Sequence, residues 1–435
     1  MTMPARHPSA PRTGGAPGSP WGHVTRAAAA LAAGMGVGRF VYTPILPLMQ
    51  AQAGLSASVG AHLATANYIG YLAGALAGIL APPLVRSRAL LRACLAVLTV
   101  SLAAMPATHS TVVWLGLRLT AGAASALIFV IAVSSLLSHL RQHPAHLPGW
   151  GFGGVGAGIA LSGALVLVLR GIASRHAGWH AGWQDAWWGA AAMCALLSAV
   201  SWNLRPEETS APDEADEADE ADEAVTVVWP TTGTYRWFGA LFAGYSLEGV
   251  GYIIAGTFLV AAIGQSAPGW AGSGAWTLAG LAAVPSSALW ARLARRWSRP
   301  GLLFSALVIQ AAGIALPALV GGLAAALIAA VLFGATFVGV STLALGTGAH
   351  LRFPRSVALL TTGYSAGQII GPLVVTPLLR DGYHHALIVA SAVVLAAAVA
   401  AAVLRAGFPH HMAVVLHHPQ EHHAPGVRPA AAEAD

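Results

Sequence analysis

The sequence predicts an all-α membrane protein, with twelve transmembrane helices arranged as two pseudo-symmetric six-helix bundles. Three observations carry this. Only 9% of the 435 residues are charged and 56% are hydrophobic. A soluble domain carries about 25% charged residues, so this chain has too little polar surface to cover a water-soluble core. Apolar runs close to the roughly 20 residues that a helix needs to cross a bilayer recur along most of its length. These runs fall into two groups of six around a polar interruption, and the groups repeat one another's glycines.

Taken in order, residues 1–24 are rich in Pro, Gly, Ser and Ala and carry Arg6 and Arg12, which reads as a disordered basic tail. The apolar segment behind it is too long for a cleaved signal peptide. Spans follow near 25–48, 59–83, 88–106, 111–138, 149–171 and 186–203, forming an N-terminal bundle over 25–203. An acidic cytoplasmic linker occupies 204–235, and its Asp-Glu-Ala repeat from Asp213 to Glu223 has the composition of a solvated segment. Further spans near 236–262, 273–293, 300–320, 322–346, 355–379 and 383–405 form a C-terminal bundle over 236–405. A His-rich tail, 406–435, closes the chain with the pairs His410-His411, His417-His418 and His422-His423. Adjacent histidines lack the one-face spacing of a helical metal site, so no metal is expected.

The net charge of +6 comes from arginine alone, with no lysine in the chain. The arginines do not cluster on one domain as a nucleic-acid surface requires. They stand between the apolar runs. With both termini cytoplasmic, Arg170, Arg175 and Arg380 fall outside while the other loop arginines fall inside, which satisfies the positive-inside rule. The expected location is a bacterial inner membrane, multi-pass, with both termini cytoplasmic. Cys94 and Cys194 lie within apolar spans and read as small hydrophobes.

The two groups of spans align at an offset of about 210 residues, as an internal duplication would. Gly36-Val37-Gly38 in the first span matches Gly249-Val250-Gly251 in the seventh. Gly70 in the second matches Gly280 in the eighth, with a basic loop beyond each that reaches Arg86 in one half and Arg296 in the other. Gly158 in the fifth matches Gly367 in the eleventh. In a chain with 50 glycines, the shared offset and order carry the argument rather than any one match.

Further residues resemble the major facilitator superfamily (MFS). Arg118-Leu119-Thr120-Ala121-Gly122 is similar to its fourth-helix motif, and Gly78-Ile79-Leu80-Ala81 with Arg86 and Arg88 to its loop motif between the second and third helices. Pro82 and Pro83 replace that loop's usual aspartate. Four stretches resemble the YbfB/YjiJ family more specifically: Gly36-Val37-Gly38-Arg39-Phe40 with Pro44 and Pro47, Glu248-Gly249-Val250-Gly251-Tyr252, Phe333-Gly334-Ala335-Thr336-Phe337, and Gly363-Tyr364-Ser365-Ala366-Gly367-Gln368 through Gly371-Pro372. The resemblance implies the MFS fold, a substrate site between the halves, and transport by rocking of the halves around it.

Three charges, Arg39, Arg118 and Glu248, lie inside apolar spans. A charged residue facing lipid costs about 2.5 kcal/mol or more, so Arg39 and Glu248 must face a partner, a cavity or a substrate. Burial disfavours the charged form of a carboxyl, so Glu248 could exchange protons with a gradient; equally, it could be a structural partner for Arg39 or Arg118. Arg39, with its forked guanidinium, suits an anionic or carbonyl-bearing solute, or else balances Glu248. Arg118 resembles the fourth-helix arginine that takes part in proton transfer in proton-coupled members; an arginine there can instead bind backbone carbonyls. Asn67, Tyr68, Tyr252, Gln310, Tyr364 and Gln368 are the candidate substrate-binding groups beside Arg39, and each could equally make an interhelical hydrogen bond.

Several other readings fail. Gly151, Gly153, Gly154, Gly156 and Gly158 follow no strand and precede no suitably spaced acid, so they form no dinucleotide-binding loop. They read as helix-packing sequence and resemble the fifth-helix motif of exporters, whose Gly-Pro pair stands here in the eleventh span instead. Trp179, Trp183, Trp187 and Trp188 read as an interfacial aromatic belt. No ATP-binding loop, cofactor site, metal-ligand set or catalytic grouping is visible, so the chain is not expected to be an enzyme. The expectation is a monomeric secondary transporter of a small organic solute, coupled to protons and exporting; proton-coupled uptake or a non-transporting membrane sensor are the alternatives.

Overall fold

A computed structural model describes residues 20–140, 146–174, 182–206 and 232–408. The N-terminal half contains α1 (Pro20–Gln52), α2 (Ala57–Leu80), α3 (Arg88–Ala104), α4 (Thr111–His139), α5 (His146–Ala173) and α6 (Trp183–Ser201). The C-terminal half contains α7 (Thr232–Ser266), α8 in two pieces (Ala271–Ala283 and Ser286–Leu293), α9 (Arg299–Leu319), α10 (Gly322–His350), α11 (Ser356–Val375) and α12 (His384–Arg405). Ten helices of the described residues are long and apolar enough to cross a membrane. The other two positions belong to α6, which opens on the polar Gln184 and Asp185, and to the broken α8.

Three boundaries depart from the sequence-based expectation. Helix α1 already includes Pro20–His23, ahead of the expected residue 25. Helix α7 already includes Thr232–Tyr235, ahead of the expected 236. Helix α8 was expected as one span, but Pro285 cannot donate to the ladder and interrupts it. The first piece ends with the Val284 N–H on the Gly280 carbonyl at 3.2 Å, and the second restarts with Leu289 N–H on the Pro285 carbonyl at 2.8 Å. The remainder of the basic tail, most of the acidic linker, the paired histidines and Trp179 lie outside the described residues.

Helix α1 is also broken, though ahead of its prolines. Ala32–Val37 is a π-helical segment, in which Gly38 N–H reaches back to the Ala33 carbonyl at 2.8 Å. Such a bulge inserts a residue into the helical ladder and often marks a functional position. Pro44 then lacks the N–H that would bond the Phe40 carbonyl, and that carbonyl takes Thr43 N–H at 3.2 Å instead. Arg39 and Phe40 therefore sit on non-helical backbone in mid-span.

The repeated glycines are halves of equivalent contacts. A Cβ on Gly36 of α1 would collide with the backbone of Gly158 on α5, and one on Gly367 of α11 would lie 3.3 Å from the Gly249 carbonyl carbon on α7. Gly36 and Gly249 are one matched pair, Gly158 and Gly367 another. Along α5, Gly154 and Gly158 face α1, while Gly149, Gly153, Gly156 and Gly163 face α8. Without side chains at these positions, α5 packs closely against both neighbours. The halves meet where α5 packs on α8, α2 on α11, and the second part of α1 on α7.

The aromatic-belt expectation fails for two members of its cluster. Trp183 and Trp187, four residues apart and so on one helix face, are buried, and Trp183 stands edge-on to Trp114 at 5.6 Å. Trp188 is exposed.

Candidate substrate site between the two halves

The break in α1 turns Arg39 into the middle of the protein, where it is 3% exposed. Its guanidinium lies 4.3 Å from the ring centre of Tyr71 and 4.9 Å from that of Tyr68, both on α2. Cation–π contact of this kind is strongest when desolvated. Nη2 donates to Oε1 of Gln368 on α11, which crosses from one half to the other. Gln368 in turn donates from Nε2 to the Tyr252 hydroxyl at 3.5 Å. Tyr68 shares a hydrogen bond with Thr257 of α7 at 2.8 Å, a second link between halves.

Arg118 of α4 points at the same break from behind. Its Nη1 donates to the Gly38 carbonyl and its Nη2 to the Arg39 carbonyl, each at 3.3 Å, with the guanidinium 4.8 Å from the Tyr42 ring centre. The Arg39 carbonyl is free to accept because Thr43 N–H has gone to Phe40. Asn67 donates from Nδ2 to the Arg118 carbonyl at 2.9 Å. Of the sequence-predicted residues, Arg118 is thus turned to the backbone of α1 and Asn67 to that of α4.

Glu248 on α7 is fully buried and accepts at Oε1 from Gln310 Nε2 of α9 at 3.2 Å. Its Oε2 has no hydrogen-bond partner. Tyr364 of α11 stacks on Tyr245 with ring centres 4.4 Å apart and on Tyr252 at 5.5 Å. Glu248 and Arg39 form no ion pair: each is met by a glutamine. The structure therefore places the candidates in three groups. Arg39, Tyr68, Tyr252 and Gln368 join the halves, with Tyr364 stacked against them. Glu248 and Gln310 pair inside the C-terminal half, Arg118 braces α1, and Asn67 ties α2 to α4.

A small cavity lies between the halves. Phe40 and Ile159 contribute from the N-terminal half, and Tyr252, Trp276, Phe333 and Phe337 from the other. Its volume is about 10 Å³, about the room of one water. Of the expected binding residues only Tyr252 lines it. The aromatic walls were visible as Phe333 and Phe337, four residues apart on one helix face, and as Phe40 beside Arg39. Sequence reasoning used them only as marks of resemblance. Among the described residues, no three of His, Cys, Asp and Glu come together in a group able to hold a metal ion.

Residues 31–404 match the family model described as "Uncharacterised MFS-type transporter YbfB". No curated protein matches the sequence. Among solved structures, a mutant of the nucleoside transporter NupG is similar, with a TM-score of 0.63 at 12% identity over 88% of this chain and 99% of that one. A bacterial homologue of the human lysosomal transporter Spinster, in an inward-facing and unoccupied conformation, gives a TM-score of 0.62 at 15% identity, covering 90% of this chain and 98% of that one. At such identities these two establish the fold alone. The chain belongs to the YbfB-type family of MFS transporters, and is a multi-pass membrane transporter for small molecules rather than an enzyme.

Proposed function

We propose that the protein is a proton-coupled secondary transporter that exports a small organic solute by alternating access, from a bacterial inner membrane with both termini cytoplasmic. The observation that carries the coupling is Glu248, a fully buried carboxyl with one oxygen held by Gln310 and the other unpartnered. An ionisable group inside a membrane bundle is a functional candidate by default, and this one is not committed to an ion pair. A proton on Oε2 would neutralise it, and its release would leave a charge faced only by the neutral side chains of Gln310 and Tyr364.

The solute side of the scheme rests on the groups that cross between halves. Arg39, Gln368, Tyr252 and Tyr68 bridge the two bundles, so their bonds must change as the halves rock. Arg118 enters through the backbone that carries Arg39, so a shift of α1 is felt by both arginines. Uptake would use the same groups in the opposite sense.

The test is reconstitution of the purified monomer in proteoliposomes loaded with a pH-sensitive dye. Addition of small organic solutes one at a time should move protons for those that are carried. Accumulation in inverted vesicles, and not in right-side-out ones, marks export. Solute binding with no flux of either solute or protons would favour a non-transporting sensor.

A further inference from the structure

The cavity between the halves narrows the class of solute, an inference that rests on the transport reading above. Tyr252, Phe337 and Phe333 stand nearly parallel, at 8° and 7° to one another with ring centres 5.7 and 5.8 Å apart. Phe40 closes the other side edge-on, 79° to Phe337 and 60° to Trp276. Aromatic rings favour offset-stacked and edge-to-face neighbours, and this arrangement offers a flat ring both. The unloaded space holds about one water, so the solute enters as the rings part, and parting rings breaks few hydrogen bonds.

Polar side chains on and beside the walls are sparse, and those left without a partner are of one kind. The Tyr252 hydroxyl is engaged by Gln368. Trp276 is 1% exposed and its indole N–H has no acceptor. Arg39, 5.3 Å from the centre of the Phe40 ring, has a buried Nε–H that also lacks one. Both groups can only donate, and a buried donor left without an acceptor is unfavourable. A polyol would bring several hydroxyls that need partners of their own, and the walls lack a carboxylate or side-chain amide to receive them.

We propose that the carried solute is a compact planar aromatic carboxylate, with its ring among Phe40, Tyr252, Phe333 and Phe337 and its oxygens serving the free donors of Trp276 and Arg39.

The experiment is calorimetric binding to the full-length protein in lipid nanodiscs, with benzoate, cyclohexanecarboxylate, toluene and glucose as probes. Benzoate should bind at least ten-fold more tightly than cyclohexanecarboxylate, which shares its charge and size but is not flat, and ten-fold more tightly than toluene, which lacks the oxygens. Glucose should show no binding. Trp276→Phe, which keeps the ring and removes the N–H, should weaken benzoate five- to twenty-fold and leave toluene unchanged. Phe333→Leu should narrow the preference for benzoate over cyclohexanecarboxylate, so the proposal stays testable if the first variant folds poorly. Absence of benzoate binding, equal binding of the two carboxylates, or tighter binding of glucose would overturn it. Binding is read without a gradient. Benzoate that binds without moving protons would therefore count against the coupling and not against this assignment, whereas proton-driven carriage of a non-aromatic solute alone would count against this assignment and not the coupling.

Discussion

Arg39 and Glu248, the two charges set into matching segments of α1 and α7, do not meet: Arg39 donates to Gln368 on α11 and Glu248 accepts from Gln310 on α9. Each charge is thus answered by a neutral amide. A neutral partner leaves either charge able to change state or bind a ligand without first breaking a salt bridge, which is costly inside a low-dielectric bundle.

The Arg39–Gln368 contact should matter to stability as well as to carriage. Gln368→Leu removes the acceptor and leaves the guanidinium to its aromatic neighbours. Hydrogen bonds to charged groups contribute about 1.5–3 kcal/mol, and a loss of that order is expected in denaturant unfolding of the protein in micelles. Gln368→Glu, which keeps an acceptor, should recover most of it.

The glycine contacts between α1 and α5 make a sharper structural prediction. Gly36→Val would drive a side chain into the Gly158 backbone, which cannot retreat as a flexible side chain would. Overpacking commonly costs about 1–3 kcal/mol, and the backbone clash puts this variant at or beyond the upper end. Gly116→Val is the control, because a Cβ there meets no atom within 4 Å. Size-exclusion profiles in detergent should show aggregation for the first variant and a peak at the wild-type position for the second.

Arg118 holds two carbonyls with two separate nitrogens, a geometry that lysine's single ammonium cannot reproduce. Arg118→Lys should therefore keep the charge and still loosen the break in α1. The expected result is a lower melting temperature, together with faster hydrogen exchange confined to residues near Gly38–Val41.

At the end of α1 opposite Pro20, Gln50 donates to the Tyr383 hydroxyl, and Tyr383 N–H donates to Gln265 at 3.0 Å. The first of these bonds crosses between the halves on that face, and the second fixes Tyr383 to α7. Gln50→Ala removes about 1 kcal/mol of contact, which should raise the population open on that face about five-fold. Spin-label distances across that face, between labels on α1 and α12, are the measurement.

Much of the fold was legible because its signals are long and redundant. Twelve apolar runs, the arginines between them and the repeated glycines each pointed to two bundles of six, and the helices lie within a few residues of the expected spans. The breaks were harder to read. The π-helical turn at Ala32–Val37 follows from the packing of Gly34, Gly36 and Gly38 against α3, α4 and α5, contacts that local sequence does not contain. Pro285 announced its interruption of α8 more openly. At the site, Arg39 and Glu248 stood out because isolated charges in apolar sequence are rare. Their partners did not, since a glutamine in a span reads the same whether it meets a charge, a carbonyl or a ligand. Phe333, Phe337 and Trp276 were hidden for the opposite reason: aromatic residues in membrane helices are common, and only the tertiary structure puts their rings around one space.

In the proposed transport cycle Glu248 exchanges the proton that drives solute movement. Proteoliposomes containing wild type or Glu248→Gln, the latter still able to accept from Gln310, measure it directly through solute-driven proton flux alongside solute exchange at equal concentrations on both sides. Glu248→Gln should abolish the proton flux and retain the exchange. Proton flux that persists at the wild-type rate in Glu248→Gln would contradict it.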